Sequence, residues 1–397
     1  MDFSFSPQEE QFRNELVEWL AENLPEGWLA GKRVLPEEDK EKAVFLRDWQ
    51  RTLYEGGWAG IHWPREYGGR GATLMEEVIY QQEMARVKAP PVINFMGINM
   101  VGPTLMQMGT DQQKERYIDK ILSGTEIWCQ GFSEPNAGSD LAAIQTRAVK
   151  EGDRWVINGQ KVWTTFAHMA DKCFLLARTG QPGARHKGLT AFLIDMNQPG
   201  VEVRPIYQMN DDHDFNEIFL NDALAYDEDI VGTVDEGWKV AMALLMHERV
   251  GVAGTIFHLQ DMFDELVQMA KTTIRNGRAL IEDSVVQKDL SGFYTRVRAA
   301  VLTYYRHLTA TIKQGYPGPE GSIDKLVSSE LSKEITSYAI SLLGPAGTLW
   351  RTDAPSAFAW QNQYLQSFGA TIAGGTTEIQ KNVIGERILG LPKDLKG

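Results

Sequence analysis

Hydrophobic positions recur at helical spacing from the start of the chain. Phe12, Leu16, Trp19, Leu20 and Leu24 share one face of a 3.6-residue repeat. Ser6-Pro7-Gln8-Glu9 just before them has the form of a capping box with proline in the first turn, which predicts where that helix begins. A Gly/Pro-rich loop follows near Gly56–Gly71, and helical texture returns in Leu74–Arg86 and Gln112–Leu122. Near Trp128 the pattern changes to short β-rich runs. Asn158-Gly159 stands between two of them, the dipeptide that most strongly predicts a hairpin turn. Cys173–Ala177, Leu189–Ile194, Val201–Ile206 and Glu217–Leu220 predict further strands of a small antiparallel β domain. From Val240 a helical repeat runs to about Thr273. Helices are expected at about 285–313, 322–343, 354–368 and 377–389, the last ended by Gly390-Leu391-Pro392. The reading is a mainly α chain with a central β domain: helical 1–125, β 126–232 and helical 233–397.

Composition narrows the function classes. The chain has 397 residues, 43% hydrophobic and 23% charged, which suits an ordinary globular protein rather than a disordered one. Forty basic against 53 acidic residues give 40 − 53 = −13, which argues against general nucleic-acid binding. Two cysteines, Cys129 and Cys173, cannot organise a disulfide framework and fit a reducing cytoplasm. The acidic N-terminus does not read as a signal peptide, and no stretch approaches the ~20 apolar residues of a membrane span. The seven histidines show no metal-ligand spacing, so no metal is expected. The absence of Gly-x-Gly-x-x-Gly at a strand-to-helix turn removes support for a Rossmann site, and no nucleophile elbow is present.

Four segments carry candidate chemistry. Gly131–Asp140 is rich in glycine, hydroxyls and carboxylates and reads either as a ligand-facing loop or as a connection between domains. Trp163-Thr164-Thr165 sets a flat apolar face beside two hydroxyls, although Trp163 also suits a core. Gly374-Gly375-Thr376-Thr377-Glu378 opens a helix, as an anion site or as a plain cap by Thr376 with Glu378 complementing the dipole. His247-Glu248-Arg249 interrupts an apolar helix, and Glu248 there is a base or a paired core charge.

In this order the segments resemble the acyl-CoA dehydrogenase family over essentially the whole chain. Gly131–Asp140 is similar to the first family signature and Gln366–Pro392 to the second region. Gly57-Trp58-Ala59-Gly60-Ile61 and Trp63-Pro64-Arg65-Glu66-Tyr67-Gly68-Gly69 are also typical. The resemblance implies an N-terminal helical domain, a β-barrel-like middle and a C-terminal four-helix bundle, with FAD between middle and C-terminal domains and reaching a neighbouring subunit. It implies that Gln130, Phe132 and Ser133 line the flavin, Trp163 and Thr165 flank it, and Thr376 and Glu378 touch its diphosphate-adenosine portion. Ser139 then helps bind the thioester ligand, and the Gly374 N–H polarises its carbonyl. The implied reaction is α,β-dehydrogenation of an acyl-CoA, with an electron-transferring flavoprotein as acceptor.

Two departures from the family pattern change the assignment. Many members carry the base where this chain has Gly374, while a minority place a glutamate beside an arginine on an earlier helix. Glu248, with Arg249 beside it at the substrate, matches the minority and becomes the expected base. The usual Arg-x-x-Phe-Gly and Gln-x-x-Gly-Gly grips on distal FAD are replaced by Thr273–Arg278 and Ser341–Gly347. Arg275 and Arg278 then compensate in a homo-oligomer of two or four chains, toward which the two arginines incline the reading. Otherwise a paralogous subunit supplies the grip, as in the heterotetramers of bacterial sterol side-chain breakdown. Same-fold flavin oxidase, monooxygenase or desulfinase chemistry is the alternative reaction, and a non-catalytic partner subunit the third reading. Glu248 and the intact first signature favour dehydrogenation. The bare Gly374 suggests a branched or ring-bearing acyl group.

Overall fold

In the computed structural model, the first helix begins where its capping box predicts. Ser6 Oγ accepts from the Glu9 N–H at 3.3 Å, and the Glu9 carboxylate accepts from the Ser6 N–H at 2.6 Å. The structure describes residues 5–181, 183–250, 253–315, 318–355 and 359–393, without the side chains of 248–250, 253, 254 and 352. These residues separate into two units, 1–83 with 87–248 and 84–86 with 249–397.

The first unit opens with helices α1 (Pro7–Asn23), α2 (Asp39–Glu55), α3 (Leu74–Arg86), α4 (Gly102–Met108) and α5 (Asp111–Ser123). Their core is aromatic. Trp58 lies 5.4 Å edge-on from Phe12 and carries the Arg70 guanidinium at 3.6 Å from its ring centre. The strands are β1 (Trp128–Gly131), β2 (Arg147–Glu151), β3 (Arg154–Thr165), β4 (Lys172–Arg178), β5 (Leu189–Asp195), β6 (Val201–Ile206), β7 (Phe215–Tyr226) and β8 (Ile230–Val231). They form one sheet in the order β6-β7-β3-β2-β4-β5-β8, with β1 beside β4. Helix α6 (Gly237–Val250) follows. The buried β4 and β5 read as continuous apolar runs, whereas β7 alternates, because both faces of β4 and β5 are covered.

Two expectations are corrected here. Asn158-Gly159 is not a hairpin turn: β3 is one strand of 12 residues, and the dipeptide makes a bulge in its pairing with β7. The Asn158 side chain donates to Asp222 Oδ1 at 2.9 Å and accepts from the Asp222 N–H at 3.0 Å. Gly159, at φ +154°, leaves no room for a Cβ, which would stand 2.5 Å from Thr146 Oγ1. Cross-strand contacts therefore claim the dipeptide, and the chain turns earlier at Gly152, where φ is +67°. The sheet is also not wholly antiparallel, since β1 pairs parallel with β4 and β2 meets β4 in parallel at one position.

The second unit is helical: α7 (Ala253–Thr272), α8 (Ser284–Gln314), α9 (Gly321–Leu343), α10 (Ala359–Ala370) and α11 (Thr377–Val383). Helix α9 packs against α7, α8 and α10. The apolar run from Val240 to Thr273 divides into α6 and α7, and residues 251–252 between them lie outside the described residues. A two-residue hairpin joins β9 (Ile274–Arg275) to β10 (Arg278–Ala279). Asn276 and Gly277 form its turn at φ +53° and +79°.

Candidate active site

In the first unit the sequence-predicted flavin residues gather at the adjoining ends of β1 and β3. Gln130 ends up opposite Phe174 in the parallel β1–β4 pair, and buried Phe132 packs 6.3 Å from the Phe174 ring. The Ser133 carbonyl accepts from the Val162 N–H at 2.9 Å, which fastens the loop to β3. One residue further, Trp163 adopts φ +61° at a second bulge and is 60% exposed. That is a conformation an aromatic residue rarely takes. The backbone therefore turns Trp163 out of the sheet; it is no core residue. Thr165 beside it is half-buried, and the Thr164 hydroxyl is buried without a hydrogen-bond partner among the described residues. Ser139 is exposed at the far end of the loop, next to Asp140, which pairs with Arg185 at 2.9 Å.

Two residues that hold this platform were not anticipated. Lys161 is fully buried, and its Nζ donates to the Phe132 carbonyl at 3.0 Å and to Glu134 Oε1 at 2.8 Å. Glu134 also accepts from the N–H groups of Gln145 (2.5 Å) and Thr146 (2.8 Å). Burial raises the Glu134 carboxyl, but Lys161 and these donors outweigh it and hold it below its usual range. Burial lowers Lys161, and Glu134 opposes the shift. With an ionised carboxylate and a carbonyl both facing Nζ, the pair is charged at neutral pH. No local signal was available, since Lys161 stands among polar residues, Asn158-Gly159-Gln160 before it and Thr164-Thr165 after it.

The same unit ends in α6, which contains Glu248. The side chains of Glu248 and Arg249 lie outside the described residues. His247 is described: its Nε2 is buried without a hydrogen-bond partner among the described residues, and burial lowers its pKa. Burial, with His247 nearby, pushes His62 down to about 4.

In the second unit Thr376 caps α11, its hydroxyl accepting from the Ile379 N–H at 3.3 Å. The Glu378 carboxyl is held below its usual range by its own backbone N–H and by Thr376. Gly374 and Gly375 lie at φ +64° and +95°. Lys325 Nζ donates to the Gly375 carbonyl at 2.7 Å and Gln380 Nε2 to the Gly374 carbonyl at 2.8 Å, so both glycines are tied to neighbouring helices by their carbonyls. Beside this cap a cavity of about 470 Å³ is lined by residues including Arg296, Asp324, Glu330, Thr377 and Lys381. Arg275 donates to the Leu342 carbonyl, which joins the segments Thr273–Arg278 and Ser341–Gly347, and Arg278 is exposed across the hairpin.

Acyl-CoA dehydrogenase family models match the chain in order: the N-terminal domain over residues 6–125, the middle domain over 129–223 and the C-terminal domain over 235–389. The chain belongs to the acyl-CoA dehydrogenase family. It is 40% identical to the acyl-CoA dehydrogenase IpdE1 of Mycolicibacterium smegmatis, over 98% of this chain and 99% of that one. It is 39% identical to the IpdE1 of Mycobacterium tuberculosis, again over 98% and 99%. Among solved structures, the Tcur3481-Tcur3483 steroid ACAD superposes with a TM-score of 0.86 at 28% identity, covering 99% of this chain and 100% of that one. The ChsE4-ChsE5 complex from Mycobacterium tuberculosis gives 0.84 at 30% identity, with the same coverage. The protein is thus an FAD-dependent oxidoreductase that dehydrogenates an acyl-CoA thioester. The exposed Trp163 and the fastened Ser133 loop fit that cofactor, since they offer a flat face and polar groups that the fold does not itself use. No described helix is long and apolar enough to cross a membrane.

Proposed function

We propose that Glu248 removes the α-proton of the acyl-CoA. The carrying observation is Gly374: it bears no side chain at the place where many relatives carry their base, and its left-handed backbone suits glycine. FAD, when bound, accepts the β-hydrogen as hydride. Gln130, Phe132, Ser133, Trp163 and Thr165 would hold its flavin, and Thr376 and Glu378 its diphosphate-adenosine portion. The Gly374 N–H would polarise the thioester carbonyl, which acidifies the α-carbon. Ser139 and Arg249 would contact the substrate. A base of this kind works best with a raised pKa in a dry pocket. The same reading divides the chain at 125/126 and 232/233. It places the protein in the cytoplasm, where the buried, unpaired thiols of Cys129 and Cys173 stay reduced, and takes an electron-transferring flavoprotein as acceptor.

Glu248→Gln is nearly isosteric and tests the assignment. Single-turnover flavin reduction should slow by about 10³-fold or more with FAD content unchanged. Reduction at close to the wild-type rate would overturn it.

The steroid ACAD relatives support a steroid or other ring-bearing acyl group as substrate. A panel of acyl-CoAs with an artificial acceptor tests this, and a preference for short straight chains would refute it. A second reading concerns the assembly. Arg275 is engaged by the Leu342 carbonyl, so it is poorly placed to replace the missing FAD grip, which leaves the exposed Arg278 as the remaining candidate of the two. That favours a paralogous subunit over the homo-oligomer.

A further inference from the structure

Asp39 opens α2, His168 follows β3 in a short helical turn, and His213 lies in the connection from β6 to β7. The fold brings these three stretches together within the first unit. His213 Nε2 stands 2.8 Å from Asp39 Oδ2, and the two imidazole rings are 5.2 Å apart at 41°. One donor atom from each of the three residues lies within 4.8 Å of the other two.

The contacts behind His168 prepare it as a ligand. Asn216 is fully buried, and its Nδ2 faces the carbonyls of Thr164 (3.2 Å) and Asp214 (3.3 Å). Both ends of the amide stand close to His168 Nδ1, Nδ2 at 3.1 Å and Oδ1 at 3.2 Å; because the two N–H bonds of Nδ2 have the carbonyls as acceptors, Oδ1 is the end assigned to accept a proton held on Nδ1. The proton on Nδ1 leaves the Nε2 lone pair for a Lewis acid. A ligating histidine is commonly fixed in this way through its other nitrogen. Asp214 adds a second, largely buried carboxylate that interacts electrostatically with both imidazoles, and Lys42 is the cation that faces the two carboxylates.

We infer that Asp39, His168 and His213 form a binding site for a divalent transition cation of the zinc class, with Asp214 or water as fourth ligand. Two imidazoles and a carboxylate make a borderline nitrogen–oxygen set, which suits zinc rather than calcium or magnesium. Bonds of about 2.0–2.1 Å in a tetrahedron put donors roughly 3.3 Å apart, so closure needs shifts of about an ångström in half-buried side chains. The cation would tie α2 to the end of β3, three residues beyond Thr165, and to β7 through the Asn216 contact. It is a clamp behind the flavin platform and takes no part in proton or hydride transfer.

The test uses untagged holoenzyme dialysed against a chelator and titrated with Zn2+ alone. Calorimetry should show one equivalent bound at about micromolar Kd or tighter, with a rise in melting temperature. His168→Gln and His213→Gln should each weaken binding at least tenfold, and Asn216→Ala by about 10- to 100-fold. No saturable binding, or binding undiminished in both histidine variants, would overturn the site. If the variants do not fold, Co2+ substitution of the wild type decides. Intense visible bands of a four-coordinate nitrogen–oxygen site support the proposal, and only the weak bands of hydrated Co2+ refute it.

Discussion

Lys161 shows what a single buried charge controls here. Its ammonium is fully enclosed and satisfied by the Phe132 carbonyl and Glu134. Lys161→Met would leave the Glu134 carboxylate buried without its counter-charge, so urea unfolding should show a loss of about 3–5 kcal/mol. Adding Glu134→Gln to that variant should recover part of the loss, because the stranded charge goes with it. Trp163 is the opposite case. It is 60% exposed, so Trp163→Ala should change unfolding by less than about 1 kcal/mol yet weaken FAD retention or shift the flavin spectrum. Full flavin occupancy with an unchanged spectrum would remove Trp163 from the platform. His62 gives a pH dependence. Its folded pKa of about 4 lies below the ordinary 6.5, so the unfolded chain takes up a proton first as pH falls. The His62 contribution should therefore be level above about pH 6.5 and decline by roughly 1–3 kcal/mol toward pH 4, read as the difference between wild type and His62→Gln, because burial raises the Glu77 carboxyl to about 7 and acts in the opposite direction over the same range. His62→Gln should flatten that decline in unfolding measured at several pH values.

At the scale of elements, two Asn-Gly dipeptides have different fates. Asn276-Gly277 turns a hairpin in open surroundings, while Asn158-Gly159 bulges inside a paired strand. A Cβ on Gly277 meets nothing within 4 Å, whereas one on Gly159 stands 2.5 Å from Thr146 Oγ1 and 2.7 Å from its Cα. Gly277→Ala should cost about 1 kcal/mol, from the left-handed backbone alone. Gly159→Ala should cost about 2–4 kcal/mol, because the Thr146 backbone cannot rotate away. Equal costs in thermal unfolding would show that the Gly159 contact relaxes. The local signal was the same at both sites; competition from Asp222 and Thr146 distinguished them, and a sequence window does not contain those partners.

For the whole molecule, the decisive quantity is the flavin content of the chain purified alone. With Arg275 held by Leu342 and only Arg278 left exposed to grip the diphosphate, the chain by itself should retain well under one FAD and take it up fully with a paralogous subunit. Each charge-assisted hydrogen bond missing from the diphosphate removes roughly 1.5–3 kcal/mol of binding. About one tightly bound FAD per chain would instead establish the homo-oligomer. The order helical, β, helical was legible in the sequence, because apolar periodicity and caps such as Ser6 and Thr376 act within a few residues of themselves. The Ser133–Asp140 signature and Gly374 were legible for the same reason, being contiguous. Only the tertiary structure decided that Lys161 reaches Glu134, that Trp163 is turned outward, and that Asp39, His168 and His213 meet. Those facts depend on which distant backbone occupies the space beside each side chain, and residue spacing along a chain does not encode that directly.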